Sequence, residues 1–389
     1  MAKLPDPKSA VHLLQELIRL DSTNPPGNEH RVAQWLAGHL ERKGLPVKVT
    51  PVEEGRSNLE VRIGSGGGKK LLFCGHMDTV SPGSTDRWTY PPFSGEIAGN
   101  RLYGRGASDM KSGLAAMVLS LESLANEEES LKGEWILTAT AGEEVDSCGA
   151  RQYKELGGMK GVNALVIGEP TKEKVVVGHK GALWLEITTY GRTAHSSMPA
   201  RGINAVDHML RVAEWLQSLG LSWEMKDPVL GSGSLSFTRI DGGIQTNVIP
   251  DRCRLQVDIR TVPPREHSVL IRETEKRLSE GAEKVEGFRY QIRTLLDRPS
   301  IRTPAADPLI RLAQELKGPH ENQVHGVSYY TDGSVLNPNS EIPTLIYGPG
   351  DEALAHQPDE WVDIGAYLRS ITFYRELVLR YLGSDTSIR

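Results

Sequence analysis

Four runs of this chain are apolar at nearly every position: Leu71-Leu72-Phe73-Cys74, Trp135-Ile136-Leu137-Thr138-Ala139-Thr140, Ala164-Leu165-Val166-Ile167 and Pro343-Thr344-Leu345-Ile346-Tyr347. A strand with one wet face alternates apolar and polar residues, whereas a near-continuous apolar run belongs to a strand covered on both faces. Residues 114–124, between the first two runs, read as a buried helix. Covered strands alternating with helices specify an α/β fold, a mainly parallel sheet flanked by helices. Two amphipathic helices, 10–20 and 28–43, precede the sheet. Asn24-Pro25-Pro26-Gly27 separates them and can only be a loop. A last helix, 364–382, is expected to pack back on the sheet.

The texture changes between Gly178 and Arg298. A strand at 182–190, a helix at 204–219, strands at 234–240 and 254–261, a helix at 266–278 and a strand at 288–296 follow in order. That succession, β-α-β-β-α-β, is the ferredoxin-like unit. The apolar α/β style then resumes, so the expectation is an inserted α+β domain, 179–297, within a main domain made of 1–178 and 298–389. A chain of 389 residues suits two domains at roughly 100–200 residues each.

The side chains that carry chemistry fall just beyond the apolar runs. His76 and Asp78 follow the first through Gly75, Glu143 and Glu144 follow the second through Ala141-Gly142, and Glu169 follows the third through Gly168. His356 lies in the glycine-rich loop after Tyr347, and Asp109 closes Gly104-Arg105-Gly106-Ala107-Ser108. Open α/β sheets bind ligands beyond the carboxyl ends of their strands. Imidazole and carboxylate in that number suit Zn²⁺ or a similar divalent ion. Two ions sharing one carboxylate need about three carboxylates and two histidines; these residues supply that set with Glu143 left over. Taken singly, His-x-Asp is a common surface pair, Glu-Glu a common solvated turn and Asp109 a plain helix cap. Their shared placement at strand ends is what those readings do not account for.

Composition closes other routes. With 45 Lys and Arg against 50 Asp and Glu, the net charge of -5 argues against nucleic-acid binding, which wants a basic face. No apolar run approaches the ~20 residues of a membrane span, and three scattered cysteines, Cys74, Cys148 and Cys253, make no disulfide framework. A cytoplasmic setting without membrane or nucleic-acid partners is expected. The glycine run at 64–70 lacks phosphate-loop spacing and precedes a strand, so it reads as a hairpin turn.

Several motifs together resemble the acetylornithine deacetylase / succinyl-diaminopimelate desuccinylase family of zinc-dependent deacylases and peptidases. They are His76-Met77-Asp78-Thr79-Val80, Gly104-Arg105-Gly106-Ala107-Ser108-Asp109-Met110-Lys111, Gly142-Glu143-Glu144, Gly168-Glu169-Pro170-Thr171, Ala194-His195-Ser196-Ser197-Met198-Pro199, and Gly242-Gly243 leading to Thr246-Asn247-Val248-Ile249-Pro250. The resemblance implies a zinc-peptidase-like catalytic domain and a lid that mediates homodimerisation. It implies that His76 and Glu169 hold one zinc, Glu144 and His356 the other, and that Asp109 bridges them, with Co²⁺ or Mn²⁺ able to substitute. Asp78 would orient His76, and Glu143 would be the general base for a zinc-activated water. His195 would steady the oxyanion in the partner's active site. Arg260 would clamp a substrate carboxylate, with Asn247 near it.

The substrate implied is a small N-acyl amino acid, with a dipeptidase or carboxypeptidase activity as the alternative. A catalytically silent homologue that binds a partner is the reading from another class, and an unliganded base beside a ligand speaks against it. The segment Gly178-His179-Lys180-Gly181-Ala182 lacks the paired arginines of the desuccinylases and is closer to acetylornithine-type deacetylases.

Overall fold

The computed structural model describes residues 4–64, 67–125, 131–223 and 225–383; Ser65 and Gly66 of the glycine run lie outside them. The chain divides into two units. The first comprises Met1–Gly178, Arg302–His325 and Thr331–Arg389, and the second His179–Ile301 with Gly326–Tyr330. Nothing in the sequence marks that last short segment.

The first unit is built on a mixed sheet. Seven of its strands run in the order Val47–Glu53, Arg56–Gly64, Glu134–Thr140, Lys70–His76, Ala164–Ile167, Thr344–Ile346, Val175–His179. The four central strands are mutually parallel, and the flanking pairings are antiparallel. The central strands are the near-continuous apolar runs and are buried almost throughout. Being parallel, they end at one edge, and that edge collects the His, Asp and Glu residues.

Helix Lys111–Leu124 is buried along nearly its whole length, as expected of a helix apolar all round. Its start is pressed against the sheet at Gly113, where a Cβ would lie 1.9 Å from the Gly168 oxygen. No other residue fits there. The last helix, Ile364–Leu382, lies chiefly along this buried helix rather than on the sheet, with Ser120 Oγ donating to the Ile371 oxygen at 2.9 Å. Asp6 caps the first helix, Pro7–Arg19, through Ser9 N, and the helix buries Ala10, Leu13, Leu14, Leu17 and Ile18.

The second unit is the ferredoxin-like α+β domain. Its sheet has the order Ser234–Gly242, Arg252–Thr261, Gly181–Tyr190, Arg289–Arg298, all antiparallel. Helices Ala205–Ser222 and His267–Lys284 cover one face, and Leu183, Leu185, Ile187, Val257, Ile259, Val212, Leu216 and Leu270 fill the space between. On the same strands Glu186, Gln256 and Arg293 are hydrogen-bonded to one another, and Trp184 is exposed.

Candidate metal centre

Each central strand of the first unit ends in a tight turn that aims a side chain back over the sheet edge. Met77 N donates to the Thr140 oxygen at 2.9 Å, so the segments leaving Lys70–His76 and Glu134–Thr140 stay together past their last ladder pair. At Gly142 the backbone turns with φ of +81°, a conformation that costs an L side chain about 1 kcal/mol or more. The turn sets Glu143 and Glu144 directly beyond the strand.

The side chains converge. His76 Nε2 lies 3.1 Å from Asp109 Oδ1 and 3.9 Å from Glu169 Oε1. His356 Nε2 lies 3.0 Å from Glu144 Oε2 and 3.6 Å from Asp109 Oδ2. Asp109 thus reaches toward a histidine with each oxygen, and the two pairs meet on it. Glu143 also comes within ligand distance of His76 and Glu169, so proximity alone does not separate it from the ligands. His356 has φ of +63°; a non-glycine residue held there costs of order 1–3 kcal/mol and marks a functional site.

Asp78 is fully buried and holds the frame. Its Oδ1 accepts the main-chain N–H groups of Gly142 and Glu143, both at 3.1 Å. Its Oδ2 accepts Glu144 N at 3.1 Å and Asn24 Nδ2 at 2.9 Å. The nearest acceptor for His76 Nδ1 is the main-chain oxygen of Asp78 at 2.9 Å, with the carboxylate at 3.5 Å. A proton on Nδ1 leaves the Nε2 lone pair facing Asp109 and Glu169. Asp78 therefore orients His76 mainly through its backbone, and its carboxylate organises the Gly142–Glu144 turn.

The charges in this cluster do not balance by themselves. Burial and then the neighbouring Glu169 push Glu143 well above the ordinary carboxyl range. Burial, with Asp109 and Glu144 adding to it, does the same to Glu169 despite His76, and burial and Asp109 raise Glu144. Buried carboxylates this close repel one another unless a cation lies between them. Four carboxylates and His76 form two groups that overlap at His76, and His356 joins them through Glu144 and Asp109; together they are a donor set that fits two divalent ions of the zinc type.

Several further residues support the centre. Asn24 comes from the loop between the first two helices. Asp332, 2 % exposed, accepts the Thr140 hydroxyl at 2.6 Å. Arg105 donates to Glu360 Oε2 at 2.6 Å, and both are buried. Only Arg105 and Asn24 sit in motifs that draw attention; Asp332 and Glu360 read as ordinary loop acids. Cys74 and Cys148 are buried and unpaired.

His195, Asn247 and Arg260 belong to the second unit. His195 is exposed, and its Nδ1 accepts the Ser197 main-chain N–H at 3.1 Å. The ring proton is thereby left on Nε2, free to donate. The main-chain oxygen of Asn247 accepts from Ser196 N at 3.0 Å, so Asn247 stands beside His195. It does not stand near Arg260. Strand Arg252–Thr261 pairs Cys253 with Gly242 and Arg260 with Ser234, which puts Arg260 about 23 Å along the strand from Cys253 at 3.3 Å per residue, at the end opposite the connection that carries Asn247. Arg260 is engaged with Asp258, Nε to Oδ1 and Nη2 to Oδ2, both at 3.0 Å.

Comparison with known proteins comes from three directions. A family model described as Peptidase family M20/M25/M40 matches residues 72–380. The "Probable succinyl-diaminopimelate desuccinylase" of Staphylococcus aureus strain MSSA476 is 31% identical over 96% of this chain and 98% of its own length. The "Acetylornithine deacetylase" of Aliivibrio salmonicida is 32% identical over 97% and 99%. Both names of the resembled family thus occur at similar identity. Among solved structures, the YXEP protein of Bacillus subtilis, described as a dinuclear metal binding peptidase from the M20 family, superposes with a TM-score of 0.73 at 17% identity, covering 97% of this chain and 98% of that one.

Proposed function

The chain belongs to peptidase family M20/M25/M40, and from that premise we propose that it hydrolyses the amide bond of a small N-acyl amino acid or a dipeptide-like molecule. The observation that carries this reading is the convergence of His76 and His356 on the two oxygens of Asp109, with Glu169 and Glu144 behind them. In this reading His76 and Glu169 hold one zinc ion, Glu144 and His356 a second, and Asp109 bridges. Bound divalent ions supply Lewis acidity and make water a nucleophile near neutral pH.

Glu143 is the carboxylate left over. Adjacent to Glu144 and buried, it takes the proton of the attacking water and passes it to the leaving nitrogen. A carboxylate not consumed as a ligand can serve both halves of that transfer. Asp78 keeps Glu143 and His76 in register. The Nε2–H of His195 donates to the developing oxyanion, and Arg260 receives a substrate carboxylate after exchange with Asp258.

His195 lies in the loop beyond the Tyr190–Arg252 end of the sheet and Arg260 near its other end, a separation that supports a shared site. A small substrate cannot touch both residues of one copy, so if both act, they come from two chains of a homodimer. The strand Ser234–Gly242 is a sheet edge, and Ile240 and the nearby Ile244 are exposed; such an edge invites a second copy. No described helix is long and apolar enough to cross a membrane. The setting in this reading is the cytoplasm, where the three unpaired cysteines stay reduced.

The test is metal analysis with hydrolysis of N-acetyl, N-formyl and N-succinyl amino acids and of dipeptides. Up to two equivalents of zinc, activity lost on chelation and regained with Zn²⁺, Co²⁺ or Mn²⁺, and turnover of at least one acyl class are expected. Full activity in rigorously metal-free protein would falsify the reading, and a metal-loaded protein inert on the whole panel would favour a binding role.

A further inference from the structure

Two loops of the first unit carry the ligands Asp109 and His356, and one buried carboxylate joins them. Glu360 is 1 % exposed. Its Oε1 accepts the main-chain N–H groups of Ser108 at 2.8 Å and Asp109 at 2.9 Å, and its Oε2 accepts Arg105 Nη1 at 2.6 Å. Arg105, 2 % exposed, also donates to the main-chain oxygens of Gln357 and Ser81, both at 3.3 Å. Its guanidinium lies 5.2 Å from the Trp88 ring centroid.

The lacing continues on either side. Ser108 Oγ donates to the Asp351 oxygen at 2.9 Å and accepts Asp351 N at 2.7 Å. Gly104 N donates to the Glu360 main-chain oxygen at 2.8 Å, and Trp361 pairs with Tyr103 in a short antiparallel ladder. The segment 104–109 and the segment 351–361 therefore behave as one piece. The Glu360 carboxylate meets the candidate ligand Asp109 at its main-chain N–H and not at its side chain.

We propose that Glu360, locked by Arg105, is a positioning residue of the metal centre: a single carboxylate that sets the backbone of Asp109 against the loop of His356. The inference rests on the reading of Asp109 and His356 as ligands. The two carboxylate oxygens accept all three N–H groups that face them, from Ser108, Asp109 and Arg105 Nη1. A glutamine at 360 has one oxygen and one amide group, so it turns a donor either toward Arg105 or toward the two main-chain N–H groups. One side of the bracket opens, and Asp109 loses its fixed relation to His356.

The experiment measures Zn²⁺ and Co²⁺ binding to the full chain by competition with a chromophoric chelator. The visible absorption of bound Co²⁺ reports ligand geometry. Glu360→Gln is expected to keep its far-UV circular dichroism, to bind one equivalent about ten- to a hundredfold more weakly, and to change the Co²⁺ spectrum. Glu60→Gln removes a carboxylate held by Arg62 and Tyr153 on strand Arg56–Gly64 and should change neither. Asp109→Asn tests the ligand reading and should lose metal outright. If Asp109→Asn loses metal while Glu360→Gln binds both equivalents with an unaltered spectrum, the inference fails and the ligand reading stands. If Asp109→Asn binds normally, both fall. Should Glu360→Gln not fold, Arg105→Lys replaces it. A lysine keeps the charge but cannot span Glu360 and two main-chain oxygens, so the same weakening is expected and wild-type binding overturns the proposal.

Discussion

The carboxylate of Asp78 accepts the main-chain N–H of Glu143 at 3.1 Å, so the residue whose backbone orients His76 also fixes the backbone of the proposed general base. Asp78→Asn keeps the shape but turns a donor toward some of the four N–H groups around it. Metal affinity should fall about ten- to a hundredfold, and kcat measured at saturating metal should fall as well. Loss of affinity with kcat restored by excess metal would show that the Glu143 turn does not depend on Asp78.

Glu143 and Glu144 are adjacent, yet their substitution should separate two functions. Glu143→Ala is expected to retain both metal equivalents and lose about 10²–10⁴ in kcat, the range of general acid–base catalysis. Glu144→Ala should lose the metal shared with His356. Metal content by atomic emission and turnover under saturating substrate decide it. Because Glu143 also lies near His76 and Glu169, equal metal loss in both variants would make Glu143 a ligand.

Arg260 meets its own partner, Asp258, in a two-point contact. A substrate carboxylate must compete for that guanidinium. Arg260→Lys loses the two-point geometry and should raise KM for free-acid substrates while barely affecting the corresponding amides. An equal effect on acid and amide would remove Arg260 from the substrate site.

Subunit exchange tests His195. In the proposed homodimer with shared sites, a mixture of Glu143→Ala and His195→Ala chains would contain hybrids in which one site has both residues intact. Activity should return on mixing, and His195→Ala alone should lose about 10²–10³ in kcat, the usual cost of one oxyanion donor. If mass spectrometry shows hybrids and they remain inactive, His195 acts within its own chain or has no part in the reaction.

Asp332 makes a pH-dependent contribution to stability. Burial, opposed by the Thr140 hydroxyl, raises its carboxyl from 3.8 to about 6. The folded chain therefore holds this proton more tightly than the unfolded chain, and folding is increasingly penalised as pH rises from about 4 to about 6. The full penalty, roughly 3 kcal/mol at about 1.4 kcal/mol per unit, applies above that window. In metal-free protein Asp332→Asn should match wild type below pH about 4 and gain up to that amount above pH about 6, measured by urea unfolding. A gain that does not vary with pH would mean that Asp332 does not titrate there.

The α/β core and the ligand positions are legible in the sequence for one reason. Strands covered on both faces must be apolar throughout, so the first polar residues past each run, His76, Glu143 and Glu169, announce the sheet edge. The support is not legible in the same way. Asn24 reaches Asp78 across 54 residues, Asp332 reaches Thr140 across 192, and Glu360 reaches Asp109 across 251. Buried partners at such distances share no period or spacing. The placement of Asn247 beside Arg260 fails on register, because a ladder turns neighbouring segments into opposite ends of one strand.

The tight seat of Gly113 against Gly168 has an electrical consequence. An α-helix carries roughly half a positive charge at its N-terminus, and helix Lys111–Leu124 begins two residues after Asp109. A side chain at 113 would lever that end away from the Gly168–Glu169 backbone. Without one, the positive pole of this buried helix stays close to the Gly168–Glu169 backbone, where it favours negative charge. The bare glycine thus tunes the field in which the ions bind, and Gly113→Ala would disturb the centre without touching a single ligand.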